Sequence, residues 1–214
     1  GSGCPTSGHL VPMLGSASRA RSRLSIQEGG TTSDRRDGLL ERADQLAVLD
    51  DALRAALSDA RGRLVLVAGE AGVGKTSLVR AFCAALHGSH RILQGSCDAL
   101  FTPRALGPFL DIAAGAGGDL EQVVSVGARP HEVAVELLAE LRHAPAVLVL
   151  EDLHWADEAT LDVLTLLARR LEQVPVMIVA TYRDDELTAA HPLQIVLGDL
   201  STASGITRLR LQAL

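Results

Sequence analysis

The stretch "VLVAGEAGVGKTSLVRAF", residues 65–82, decides how the rest of the chain is read. The apolar run "RLVLVA" (63–68) stops at a segment with three glycines, and a helical pattern then opens at a lysine followed by two hydroxyl residues. Gly69, Gly74, Lys75 and Thr76 fit G-x-x-x-x-G-K-[ST], in the strand-then-helix setting that this pattern requires. Glycine suits such a loop because successive backbone N–H groups must turn inward to form a concave anion nest, which a Cβ would obstruct. The helix starting near Lys75 adds unpaired N–H groups and the positive end of its dipole behind the same anion. The pattern predicts that Gly69, Glu70, Ala71, Gly72, Val73, Gly74, Lys75, Thr76 and Ser77 cradle nucleotide phosphates. Lys75 then spans the β- and γ-phosphates and the Thr76 hydroxyl ligates Mg2+. Glycine-rich turns without a ligand also exist; the Lys-Thr pair in register separates this one from them.

Outward from the loop, short β-branched and Leu-rich runs recur at "LVLVA" (64–68), "RILQG" (91–95), "VLVLE" (147–151), "VMIVAT" (176–181) and "ITRLRL" (206–211). Between them lie helical spacings: residues 41–59 through Leu46, Leu49, Leu53 and Leu57; "KTSLVRAFCAALH" (75–87); Ala134, Leu137, Leu138 and Leu141; and Leu161, Leu164, Leu167 and Leu171. Three of the strands are apolar almost throughout, as strands covered on both faces are, whereas "TRLRL" alternates and suits an edge. Strands alternating with helices predict an α/β fold with a parallel, three-layer sheet.

Phosphoryl transfer also needs a carboxylate near the metal and a group that positions water. "VLVLEDLHWADEATLDVL" (147–164) ends an apolar strand in Glu151-Asp152, at the sheet edge where α/β folds bind ligands. Glu151 is assigned to the metal shell and Asp152 to the catalytic water, the reverse assignment being chemically open. Asp157 is expected to cap the next helix, and His154 and Trp155 to pack under the loop. The fourth strand ends in "VATYRDDEL" (179–187), which carries Thr181 and Arg183 toward a γ-phosphate, where a fixed guanidinium distinguishes ATP from ADP. The competing reading pairs Arg183 with Asp184 or Glu186 at the surface.

Composition bounds these readings. The chain has 214 residues, 47% of them hydrophobic, a net charge of −6 and 2% aromatics. That length suits one α/β domain with a tail. An acidic, aromatic-poor chain lacks the basic face and stacking rings of a nucleic-acid binder. Residues 1–37 are Gly/Ser/Thr/Arg-rich without periodicity and read as a largely disordered tail or a cloning remnant, leaving 38–214 as the nucleotide-binding domain. Cys4, Cys83 and Cys97 are odd in number and form no CxxC pair, which fits a reducing cytoplasm. No apolar run reaches the roughly 18 residues of a membrane span, so no membrane association is expected.

Taken together, "LLERADQLAVLDDAL", "VLVAGEAGVGKTSLVRAF", "GSCDALFTPRALGPFLDIA", "VLVLEDLHWADEATLDVL", "VATYRDDEL" and "RLRLQAL" resemble the AAA-like P-loop domain of the signal-transducing ATPases with numerous domains (STAND). The resemblance, which covers residues 39–214, is to the form of that domain found in large LuxR-type (MalT-like) bacterial transcription regulators. It implies a five-stranded sheet in the order 5-1-4-3-2, ATP or ADP with Mg2+ as ligands, and slow hydrolysis that resets a switch. It also implies ATP-dependent homo-oligomerisation of the full protein, and DNA contact only through winged-helix, sensor-repeat and helix-turn-helix parts outside this chain. In that family a Gly-Arg-x-x-Glu element helps hold the adenine; here Arg42 matches, with Glu41 and Gln45 in place of the Gly and Glu. Glu151-Asp152 is a variant of the family's Walker B pair, commonly Asp-Asp or Glu-Asp, and Arg183 matches its sensor arginine. Two other readings stay open: an active AAA+ ATPase of the initiator or helicase-loader type, and a non-hydrolysing nucleotide scaffold in a kinase or cyclase fusion.

Overall fold

A computed structural model describes residues 42–99, 104–143, 146–201 and 203–213. The expected tail, 1–37, lies outside the described residues. Five strands, β1 (Arg63–Ala68), β2 (Arg91–Ser96), β3 (Ala146–Glu151), β4 (Val176–Tyr182) and β5 (Ile206–Arg210), form one sheet. Its order is β2-β3-β4-β1-β5, every pairing parallel. Read from the other edge this is 5-1-4-3-2, the expected order.

The alternation of side chains along the strands builds two cores. Val65, Val67, Val147, Val149, Met177 and Val179 face one side, where α1 (Ala43–Ser58) supplies Leu49 and Leu53 and α2 (Lys75–Leu86) supplies Leu78, Val79 and Phe82. Leu64, Leu66, Leu148, Leu150, Ile178 and Ala180 face the other. There the cover comes from α3 (Gly107–Ala116), α4 (Gly118–Ser125), α5 (Pro130–His143), α6 (Glu158–Ala168) and α7 (Pro192–Leu200). β3 and β4 are buried throughout and apolar except for Glu151 and Thr181 near their C-terminal ends, both of which are hydrogen-bonded. β5, at the edge, leaves Thr207, Arg208 and Arg210 exposed.

Three details depart from or extend the sequence expectation. The Leu161-to-Leu171 spacing does not make one helix: α6 stops at Ala168, and Leu171 opens a separate 3-10 turn, Leu171–Gln173. Helices α3, α4 and α7 have no counterpart among the expected elements, because "GPFLDIAAGAGGDLE" and "HPLQIVLGDL" carry glycines and prolines that weaken any helical signal. Asp157 caps α6 as expected, its carboxylate accepting from the Ala159 N–H at 3.1 Å and from the Leu106 N–H at 3.2 Å.

The register carries the ends of the strands to one edge. Ala68 of β1 lies beside Tyr182 of β4, and Leu150 of β3 beside Ala180. The residues that follow, Gly69, Asp152 and Arg183, therefore emerge along one edge of the sheet. No helix among the described residues is long and apolar enough to cross a membrane.

Candidate nucleotide-binding site

Between β1 and α2 the chain turns through Gly69, Gly72 and Gly74 with φ of 154°, 75° and 98°, values that side chains disfavour. A Cβ on Gly69 would also sit 2.9 Å from the Leu211 carbonyl oxygen. Gly74 is the N-cap of α2 and offers no side chain to the first turn, which holds no acidic residue either. The amides at that end have no intrahelical acceptor, so the site presents donors and a positive dipole end to an anion.

A cleft of about 250 Å3 opens at this point, lined by Gly72, Gly74, Lys75, Thr76, Ser77, Asp152 and Arg183. The fold thus brings together the helix-opening residues, one of the two strand-end acids and the arginine after β4. Gly69, Glu70, Ala71 and Val73 complete the loop without lining the cleft. Roomier depressions of about 720 and 530 Å3 lie elsewhere, around Gly62 and around Leu197, and neither is lined by the glycine loop. Lys75 is buried, and its ammonium donates to the carbonyls of Gly69 at 2.7 Å and Glu70 at 2.9 Å. Burial lowers its pKa, the nearby Arg183 lowers it further, and Asp152 works the other way.

The two acids of the strand end part company. Glu151 is 5% exposed and accepts a 2.6 Å hydrogen bond from Gln94 Nε2 of β2, away from the cleft lining. Asp152 leaves the strand with φ 59°, ψ 44°, and its N–H donates to Thr181 Oγ1 at 3.0 Å. That left-handed residue redirects the chain and delivers the Asp152 side chain to the cleft. Thr181, expected beside a γ-phosphate, is fully buried and holds the Asp152 backbone. Gln94 escaped the sequence reading; the only signal was an amide in a short strand run.

The surface pair expected of Arg183 is present, at the cleft. The arginine lines the cleft, and it pairs with Glu186 while its guanidinium carbon lies 5.1 Å from the centre of the Trp155 ring. Trp155 in turn packs on His154, ring centres 4.4 Å apart. The His154 side chain is fully buried with neither ring nitrogen hydrogen-bonded, and burial lowers its pKa against the pull of Asp152 and Glu186.

No group of three or more His, Cys, Asp or Glu among the described residues is arranged to hold a metal. The cleft offers two hydroxyls, Thr76 and Ser77, and one carboxylate, Asp152. That set fits Mg2+, which keeps several waters and binds through few protein groups together with phosphate oxygens.

The AAA ATPase domain profile matches residues 38–179. The chain belongs to the AAA ATPase domain family. A curated relative of this AAA ATPase domain, an uncharacterized protein of Rhizobium meliloti, is 28% identical over an alignment covering 72% of this chain and 19% of that protein. The chain thus spans about a fifth of that relative's length. Among solved structures, Cdc6p of Pyrobaculum aerophilum superposes with a TM-score of 0.54 at 18% identity, covering 79% of this chain and 45% of that one. A chain of Drosophila ORC bound to DNA gives 0.50 at 15% identity, over 82% of this chain and 92% of that one. These likenesses are of fold.

Arg42 anchors the loop of this AAA ATPase domain. It is 7% exposed, and its Nη2 donates to the carbonyls of Val73 at 3.0 Å and Gln212 at 2.6 Å. One guanidinium therefore ties the phosphate loop to the segment after β5. Arg42→Ala leaves two carbonyls without their charged donor, a cost of about 2 to 3 kcal/mol. We expect thermal melts to show a fall of about 5 °C or more. Arg42→Lys recovers only part of it, because an ammonium lacks the planar fork.

Proposed function

We propose that this AAA ATPase domain binds ATP or ADP with Mg2+ and acts as the nucleotide-controlled switch of a STAND-class, LuxR-type transcription regulator, hydrolysing ATP slowly. The observation that carries the nucleotide part is the convergence of Lys75, Thr76, Asp152 and Arg183 on one cleft at the opening of α2. The regulator part is supported by the motif resemblance, above all "VLVLEDLHWADEATLDVL" and "VATYRDDEL".

In this reading the loop amides and Lys75 bind the phosphates, Lys75 exchanging its two carbonyl partners for phosphate oxygens. Thr76 holds the Mg2+, which when bound neutralises charge on the β- and γ-phosphates. Asp152, the acid that lines the cleft, orients the attacking water. Glu151, assigned to the metal shell, acts there through a water, its carboxylate being held by Gln94 Nε2 outside the cleft lining. Arg183 contacts the terminal phosphate and makes the ATP and ADP states differ, the condition for nucleotide to shift any equilibrium. DNA contact, by the same reading, belongs to other parts of the full protein, whose ATP-bound form self-associates.

Steady-state phosphate release with Mg-ATP tests the hydrolytic part. Asp152→Asn should lower it by about a hundredfold, in the range for a positioned base. Equal rates in wild type, Asp152→Asn and Glu151→Gln would leave a nucleotide-binding scaffold instead.

A further inference from the structure

We propose that Glu186 and Trp155 form a resting berth for Arg183 and that this berth sets the domain's preference between nucleoside di- and triphosphates. The inference rests on the nucleotide reading above and adds two residues to it. Arg183 stands at the cleft with its side chain 28% exposed, yet its guanidinium is already engaged, by the Glu186 carboxylate and by the Trp155 ring face. Both partners lie against His154. Trp155 ends the 3-10 turn Leu153–Trp155 that the left-handed Asp152 initiates, and its N–H donates to the Asp152 carbonyl at 2.9 Å. The buried His154 ring packs on Trp155 and lies 3.6 Å from Glu186 Oε2, while His191 Nε2 lies 3.1 Å from the His154 carbonyl oxygen. The strand-end acid and the arginine thus share one platform, although they come from different strands.

The competition follows from charge. A terminal phosphate carries more charge than a carboxylate and offers more acceptor oxygens, so it can draw the guanidinium from Glu186. Lys75 and Arg183 line the same cleft, and an anion between them relieves their mutual repulsion. A diphosphate, lacking the terminal group, leaves Arg183 on Glu186. Breaking the Arg183–Glu186 pair is therefore a toll on triphosphate binding alone, and Glu186 and Trp155 are specificity-determining residues. Because Trp155 is the single tryptophan of the chain, the movement has an intrinsic optical signal.

The test uses the intact chain with ADP and with a non-hydrolysable ATP analogue, each with Mg2+. Calorimetry reads affinity, and Trp155 fluorescence reads the berth. The analogue is expected to change the emission more than ADP does. Glu186→Gln, at an exposed position that leaves the fold intact by circular dichroism, should tighten the analogue about two- to fivefold, the range for an exposed ion pair, with ADP affinity unchanged. If both nucleotides bind but Glu186→Gln moves them equally or not at all, and the two give the same emission, the berth is refuted and the nucleotide site stands. Absence of any calorimetric binding would overturn the nucleotide reading and the berth with it.

Discussion

Lys75→Ala lowers the affinity for ADP and for a non-hydrolysable ATP analogue by about ten- to a hundredfold, as read by calorimetric titration. The estimate comes from losing a charge-assisted contact worth roughly 1.5 to 3 kcal/mol. The structure explains why the loss cannot be made good locally. The ammonium is buried and held on the carbonyls of Gly69 and Glu70, so it already stands within the loop that would receive the phosphates. Arg183, the other cation lining the cleft, is engaged by Glu186. The substitution should leave the circular dichroism spectrum unchanged, since the loop's shape is set by its glycines and by Arg42 on Val73. Undiminished affinity in the folded variant would sink the assignment of this loop to phosphate binding.

Gly95→Ala is expected to be the most damaging single-methyl change to stability, at about 3 kcal/mol or more. An added Cβ would lie 2.0 Å from the Pro108 carbonyl oxygen, 2.6 Å from its carbonyl carbon and 2.7 Å from its Cα. All three are backbone atoms at the start of α3, so no rotamer change relieves the clash and the helix itself must shift. For a chain of this size the melting temperature should drop by roughly 6 °C or more. Gly115→Ala is the control within the same helix: nothing lies within 4 Å of its Cβ, and removing glycine from a helix should add up to about 1 kcal/mol. Similar melting temperatures for the two variants would show that α3 does not press on β2 as described.

The sequence alone determined the sheet and the phosphate loop. Both depend on local rules: strands covered on two faces are apolar along most of their length, as β3 is up to Leu150 and β4 up to Ala180, and a loop that takes positive φ favours glycine, as at Gly72 and Gly74. The cap at Asp157 was legible for the same reason, since a carboxylate two residues from the N–H it accepts needs no distant partner.

Tertiary structure decided the rest, because those features join residues remote in the chain. It separated Glu151 from Asp152, two adjacent acids that sequence could not tell apart, by giving one to Gln94 on the neighbouring strand and delivering the other to the cleft. Arg42 met Val73 and Gln212. Arg183 came to rest between Glu186 and Trp155, at the cleft that Asp152 also lines. A strand pattern states which residues face a helix layer; only the packed helices determine which atoms they meet.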